Sequence, residues 1–234
     1  MNARTPLLLV PGLLCTAALW RHQIDGLADV ADIGVADHTG HDDIRDLAAA
    51  ILDRAPPRFA LAGLSFGGYI AFEIMRQAAG RVTRLALLDT SARPDTPEQI
   101  RRRLDVIALV KRGRFIGVSD ALIRTFVHPD RVDDGRLMAA IRGMADDTGV
   151  EAFIRQEKAI MSRPDSRPDL GRIACPTLVL CGRQDALTPV AWHEEIAEGI
   201  AGSRLVVIDD CGHLTTMERP EETTAALRRW LSET

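Results

Sequence analysis

A serine flanked by glycines stands in the segment LAGLSFGGYIAF, residues 61–72, directly after an apolar run. Glycine loses more backbone freedom on folding than any other residue, so three glycines around Ser65 carry a cost that needs a reason. Residues 63–67, GLSFG, have the spacing G-x-S-x-G, in which a strand turns sharply into a helix and leaves no room for side chains at the flanking glycines. The pattern predicts an exposed Ser65 hydroxyl beside the free N–H groups of a helix N-terminus, which suits nucleophilic attack.

A serine hydroxyl is a poor nucleophile without a base, and the chain offers six histidines. His213, in VVIDDCGHLTTMERPEE, follows the last predicted strand and so lies at the edge of the predicted sheet that also carries Ser65. Asp185, in LVLCGRQDALTP, follows the fifth predicted strand at the same edge and is the expected acid that orients the imidazole. Asp89, at the end of the fourth predicted strand, is the alternative acid.

Six short apolar runs, most of them continuous rather than alternating, predict strands that are buried on both faces. They are Leu7–Val10, Ile33–Asp37, Phe59–Leu64, Leu85–Asp89, Leu178–Cys181 and Leu205–Asp209. Helical patterns follow at Thr16–Leu27, Asp42–Arg54, Phe66–Ala79, Val190–Ile200 and Pro220–Leu231. This alternation predicts an α/β fold, with a mostly parallel six-stranded sheet and helices on both faces. We expect the spatial order second, first, third, fourth, fifth, sixth, which puts the loops after the first and third strands side by side.

The interval from Arg93 to Asp169 contains no strand pattern and reads as a helical cap inserted between the fourth and fifth strands of a single domain. Apolar residues recur there at helical spacing. They are Ile100, Leu104 and Ile107; Leu122 and Phe126; Leu137, Ile141 and Met144; and Phe153 and Ile160. Met138, Met144 and Met161 are candidates for an adaptable wall of a substrate pocket, and the alternative is that they only hold the cap together.

The chain resembles the α/β-hydrolase superfamily, as a small serine carboxylesterase-like member, over almost its whole length except the cap. Ser65, Asp185 and His213 come in the chain order of that fold. The stretch LLLVPGLLCTAALW resembles the family's loop after the first strand, although Pro11-Gly12 stands where a His-Gly pair is usual. The resemblance implies an oxyanion hole formed by the backbone N–H groups of Leu13 and Phe66. It also implies a sheet trimmed to six strands, because the segment before Leu7 is too short for the family's two earlier strands.

The implied reaction is hydrolysis of small, fairly apolar carboxylic esters through an acyl-enzyme on Ser65, with broad ester tolerance. Apolar residues beside the catalytic positions would line the pocket: Leu13, Leu14, Phe66, Leu187 and Leu214. Thioesterase, lactonase and carbon–carbon-bond hydrolase activities use the same residues and stay open. A non-catalytic receptor that keeps the fold is an alternative of another class.

Composition excludes several other functions. The 234 residues are 46% hydrophobic and 26% charged with a net charge of −4, which argues against a nucleic-acid or anionic-membrane partner. No apolar stretch reaches the length of a membrane span, and Pro11-Gly12 interrupts the one that resembles a signal peptide. The cysteines, Cys15, Cys175, Cys181 and Cys211, form no CxxC pair and fit a reduced, cytoplasmic setting. His38 and His41 lie near carboxylates, but no helix holds their spacing and no further ligand is evident, so neither a metal nor a cofactor is expected. The sequence does not indicate the oligomeric state.

Overall fold

The computed structural model describes residues 4–114 and 123–232, which form an α/β fold around one six-stranded sheet. The strands are β1 (Thr5–Val10), β2 (Ala31–Val35), β3 (Phe59–Leu64), β4 (Val82–Leu88), β5 (Thr177–Gly182) and β6 (Arg204–Ile208). Their order is β2-β1-β3-β4-β5-β6, and every neighbouring pair is parallel. The predicted order is confirmed, and the carboxyl ends of all six strands therefore meet at one edge.

Helices cover both faces of the sheet. They are α1 (Arg21–Leu27), α2 (Ile44–Arg54), α3 (Phe66–Ala78), α4 (Pro97–Leu109), α5 (Gly135–Ser162), α6 (Val190–Gly199), α7 (Thr215–Glu218) and α8 (Pro220–Ser232). Alternate residues of the strands point to opposite faces, as the pleat requires. Leu7 and Leu9 of β1 pack with α1 and α8 on one face, whereas Leu8 and Val10 pack with α2 and α3 on the other.

The segment between β4 and β5 contains helices, as the sequence predicts. One α-helix, α4, begins with Thr96 as its cap and Pro97 in its first turn, and a π-helical segment, Val110–Arg114, follows it. In α5, Gly149 has a φ of 74° and separates two helical halves, which match the two apolar patterns expected on either side of it. Leu122, which the sequence assigns to a further helix, lies outside the described residues.

Within the ranges that the structure describes, no helix combines the length and the apolar composition that a membrane crossing requires.

Candidate active site

Ser65 lies at a strained turn between β3 and α3. Its φ is 56° and its ψ is −115°, a conformation that non-glycine residues adopt rarely and at a cost of about 1–3 kcal/mol. Its N–H donates a 2.9 Å hydrogen bond to the carbonyl oxygen of Leu88, which fixes the turn to the end of β4. The turn exposes the hydroxyl at the sheet edge rather than burying it in the sheet.

The glycines around Ser65 permit this turn by close approach. A Cβ on Gly63 would lie 2.2 Å from the carbonyl oxygen of Gly67, and a Cβ on Gly67 would lie 2.1 Å from that of Val10. A Cβ on Gly68 would meet the Thr90 hydroxyl at 2.3 Å. Backbone fills the space at the first two positions, so α3 starts directly against the ends of β1 and β3.

The structure brings Ser65, His213 and Asp185 together in one chain of hydrogen bonds. Nε2 of His213 lies 2.9 Å from Oγ of Ser65, and Nδ1 of His213 lies 2.8 Å from Oδ2 of Asp185. The aspartate carboxylate also accepts hydrogen bonds from the N–H groups of Leu187 and Thr188 and from the Thr188 hydroxyl, at 2.6–2.9 Å. His213 and Asp185 are buried, so solvent screens their interaction little.

The charges of the pair shift both pKa values. Burial alone would lower the pKa of the His213 imidazole, but the Asp185 charge and its hydrogen bond outweigh burial and raise it above 6.5. Burial likewise opposes ionisation of Asp185, but His213 and the Thr188 hydrogen bonds outweigh it and lower the pKa of Asp185. The arrangement therefore stabilises an imidazolium beside a carboxylate, the state that appears when histidine takes a proton from serine.

Asp89, the alternative acid, has other partners. Its carboxylate accepts hydrogen bonds from the Thr215 hydroxyl at 2.5 Å and from the Gly182 N–H at 3.1 Å. It is completely buried, and burial together with the nearby Asp185 charge raises its pKa well above the usual range for an aspartate. The geometry favours Asp185 as the partner of His213 and leaves Asp89 to join the ends of β4 and β5 to α7.

The loop after β1 lies beside Ser65. A Cβ on Gly12 would lie 3.5 Å from Cβ of Ser65, and Leu13 and Phe66 both line the cavity above the serine. Neither the Leu13 nor the Phe66 N–H has a hydrogen-bond partner among the described residues. N–H groups without a partner beside a serine hydroxyl are able to donate to an oxyanion that forms there.

The cavity has a volume of about 370 Å³ and opens above Ser65 and His213. Of the residues expected to line it, Leu13, Phe66, Leu187 and Leu214 do so. The remaining candidates, Leu14, Met138, Met144 and Met161, are not among the described residues that line it.

Packing explains why these four side chains lie away from the cavity. Met138 and Met144 are buried in the apolar cluster beneath the cap, and Leu14 is buried in a second cluster, against which Met161 packs. This packing favours the alternative interpretation, in which the methionines serve to hold the cap together. α4 and α5 supply the cap side of the cavity instead, with Gln99, Arg102, Arg103, Val106, Phe153, Glu157 and Ile160.

Ion pairs stiffen this cap side. Asp95, whose side chain is only 1% exposed, binds Arg103 and Arg163 at 2.7 Å each. Arg103 also binds Glu157 at 2.6 Å. The Arg163 guanidinium lies 4.1 Å from the ring centre of Tyr69, so the network also reaches α3.

Glu218 is a positioning residue that the sequence analysis missed. One oxygen of its buried carboxylate accepts hydrogen bonds from the N–H groups of Gly212 and Leu214, at 3.0 and 3.2 Å, on either side of His213. The other oxygen accepts the His128 N–H at 2.7 Å. Burial raises the pKa of Glu218 above its usual value. In the sequence, the one feature that could have pointed to Glu218 is its position five residues after His213.

The other histidines lie elsewhere. His38 is buried with Nε2 2.9 Å from the Gly12 carbonyl oxygen, whereas His41 is exposed. His193 accepts the Thr90 N–H at 2.8 Å, and burial lowers its pKa to about 4. Among the residues that the structure describes, no group of three or more histidine, cysteine or acidic side chains is placed to hold a metal ion.

Comparison with known proteins gives the class to which this fold and site correspond. The chain belongs to the alpha/beta hydrolase family, which it matches over residues 7–227.

Individual relatives are similar over nearly the whole chain. A thermophilic esterase from Thermogutta terrifontis is 32% identical, with a TM-score of 0.89 over 99% of this chain and 90% of that one. The enol-lactonase from Burkholderia xenovorans LB400 is 25% identical, with a TM-score of 0.88 over 99% of this chain and 93% of that one. The pimeloyl-[acyl-carrier protein] methyl ester esterase of Nitrosomonas europaea is 24% identical over 230 residues, covering 92% of this chain and 91% of that protein.

The pKa of His213 tests the electrostatic account directly. NMR titration of the imidazole should give a pKa above 6.5 in the wild-type protein, and Asp185→Asn should lower it, because burial then acts without the opposing charge. Asp53→Asn, at an exposed carboxylate, is the matched control and should leave the value unchanged. An Asp185→Asn protein with the wild-type pKa would contradict the assigned pairing.

Proposed function

We propose that the protein is a serine hydrolase that cleaves small, fairly apolar carboxylic esters through an acyl-enzyme on Ser65. The observation that carries the proposal is the Oγ–Nε2 distance of 2.9 Å between Ser65 and His213, at the floor of a cavity with two free N–H groups. Membership of the alpha/beta hydrolase family supports a hydrolytic reaction. The similarity to an esterase that is 32% identical supports an ester as the substrate.

In the proposed mechanism, Oγ of Ser65 attacks the acyl carbonyl while Nε2 of His213 takes its proton. Asp185 holds the imidazole by Nδ1 and stabilises its cationic form. The N–H groups of Leu13 and Phe66 donate to the oxyanion, where one donor contributes about 3 kcal/mol. His213 then protonates the leaving alcohol, and a water activated by the same histidine hydrolyses the acyl-enzyme.

Lactone hydrolysis is the second candidate. A lactone is an internal ester, so the same attack on its carbonyl opens the ring and leaves the alcohol attached to the acyl chain. The enol-lactonase that is 25% identical, with a TM-score of 0.88, supports this candidate. A receptor that only binds a ligand remains the alternative of another class, and repeated turnover by a single protein molecule separates it from both.

Removal of the proposed nucleophile or base should abolish hydrolysis of p-nitrophenyl esters. Ser65→Ala and His213→Ala should each lower kcat by a factor on the order of 10⁶, and the double variant should be scarcely slower because the two act as one unit. Asp185→Asn should lose less, on the order of 10⁴. Steady-state kinetics at equal thermal stability measure these effects.

The assignment of the acid is tested by comparing the same substitution at Asp89 and at Asp185. Asp89→Asn should retain far more activity than Asp185→Asn, since Asp89 bonds to Thr215 and Gly182 rather than to His213. If Asp185→Asn were fully active and Asp89→Asn inactive, the acid would be Asp89.

We further propose that the cap side of the cavity, rather than the methionines, limits acyl length. Val106 of α4 lines the cavity, so Val106→Trp should reduce octanoate relative to acetate p-nitrophenyl ester turnover by about tenfold or more. Leu104→Trp, on the same helix at a side chain that is 52% exposed, is the control and should leave the ratio unchanged. An unchanged ratio in Val106→Trp would show that α4 does not select the substrate.

A further inference from the structure

A buried polar contact joins the cap to the loop that carries the proposed oxyanion donor Leu13. Oε1 of Gln156, on α5, accepts a 3.1 Å hydrogen bond from the N–H of Leu14. The two residues are 142 positions apart in the chain, and Gln156 is completely buried. The apolar pattern of the helix does not by itself call for a buried amide at this position.

The loop needs an external partner because its backbone is strained. Leu14 has a φ of 58°, in the left-handed region that a leucine adopts at a cost of about 1–2 kcal/mol. Within the turn, the Cys15 N–H donates a 3.1 Å hydrogen bond to the Gly12 carbonyl oxygen, and the Cys15 thiol donates a longer one, of 3.4 Å, to the Leu13 carbonyl oxygen. Gln156 thus holds the N–H of Leu14, whereas the N–H of Leu13, the residue before it, has no hydrogen-bond partner among the described residues.

His38 holds the other side of the same loop. Its Nε2 lies 2.9 Å from the Gly12 carbonyl oxygen and 3.2 Å from Nε2 of Gln156. One ring nitrogen serves one of these partners at a time, and the shorter contact to a carbonyl requires the nitrogen to donate. The His38 ring also lies 5.8 Å, centre to centre, from the ring of Phe66, the second proposed donor residue.

The part of α5 that carries Gln156 is fixed to the chain around His38. Arg155 donates a 2.7 Å hydrogen bond to the carbonyl oxygen of Thr39, and Lys158 pairs with Asp42 at 2.7 Å. Gln156 therefore projects from a helix segment that is anchored on both sides of it.

Building on the proposed function, we propose that Gln156 is a positioning residue that aims the Leu13 N–H at the developing oxyanion by holding the strained Leu14 backbone. Gln156 is not among the described residues that line the cavity, so it acts through the loop rather than on the reacting atoms. Its contribution appears in the transition state, where the charge on the oxyanion is greatest, more than in substrate binding. The cap thus contributes to the reaction as well as covering the site.

The test compares Gln156→Met, which keeps the side-chain length and removes the acceptor, with Gln156→Glu, which keeps an oxygen for the Leu14 N–H. Gln156→Met should lower kcat for p-nitrophenyl butyrate about tenfold and leave KM within about twofold. The inhibition constant of phenylboronic acid, which forms a tetrahedral adduct with an active serine, should rise about tenfold. Gln156→Glu should keep kcat closer to the wild-type value than Gln156→Met does.

Two further measurements separate positioning from general loosening. Ile141→Ala removes a buried side chain from the other half of α5, beyond Gly149, and it should keep the wild-type kcat at a comparable loss of thermal stability. Hydrogen exchange of the Leu14 amide should accelerate in Gln156→Met and not in Ile141→Ala. If Gln156→Met does not fold, Gln156→Ala replaces it as the variant without an acceptor.

A wild-type kcat in Gln156→Met, or an equal loss of kcat in Ile141→Ala, would overturn the inference. A loss confined to KM would do the same, because it would assign Gln156 to substrate binding. A wild-type protein without Ser65-dependent turnover would contradict the proposed function instead. In that case the Leu14 exchange rate would still report whether Gln156 holds the loop.

Discussion

The hydrogen bond between Oγ of Ser65 and Nε2 of His213 joins two residues that are 148 positions apart in the chain. It forms because a parallel sheet gathers the ends of β3, β5 and β6 at one edge. The bond requires a strained backbone at Ser65. The surrounding structure holds the residue in that conformation, because Gly63 and Gly67 let neighbouring carbonyl groups approach closely on both sides of it. The rest of the site stabilises this one contact.

Buried carboxyl groups connect the loops that meet at this edge, and each accepts hydrogen bonds from the loops around it. Asp185 faces His213 and accepts three further hydrogen bonds, so its pKa is lowered despite burial. Asp89 and Glu218 have raised pKa values, chiefly through burial, and their hydrogen bonds go largely to backbone N–H groups and to a hydroxyl. Of the three, Asp185 is the one that bonds to the His213 imidazole and contributes most to raising its pKa, while the other two hold the loops around it.

Much of the fold was predictable from the sequence because continuous apolar runs separated by helical patterns leave few arrangements of a parallel sheet. The residues that meet at Ser65 were predictable for a related reason: Asp185 and His213 lie in the loops that follow β5 and β6, so the strand order places both loops at the edge that carries Ser65. It does not by itself choose between Asp185 and Asp89 as the acid. The glycines at positions 63 and 67 are required by steric crowding around the turn at Ser65. This requirement can therefore be recognised from the short sequence pattern itself.

The contacts of the cap were not predictable in this way. Helical periodicity indicates that Met138 and Met144 lie on an apolar face, but it does not say whether that face meets a cavity or the core. The contact made by Gln156, a polar residue, was equally unpredictable from the sequence. Its partner, Leu14, is distant in the chain, and its importance depends on the positive φ of that residue. Such contacts are set by how the cap docks, which no local pattern specifies.

Covalent labelling of the proposed nucleophile tests the central claim most directly. A fluorophosphonate loses fluoride to an activated serine hydroxyl and leaves a stable adduct, which peptide mass spectrometry locates. The account predicts a single adduct per chain on Ser65, loss of ester turnover in proportion to labelling, and slow labelling of His213→Ala. An adduct on another residue with full loss of activity, or ester turnover that persists in fully labelled protein, would contradict it.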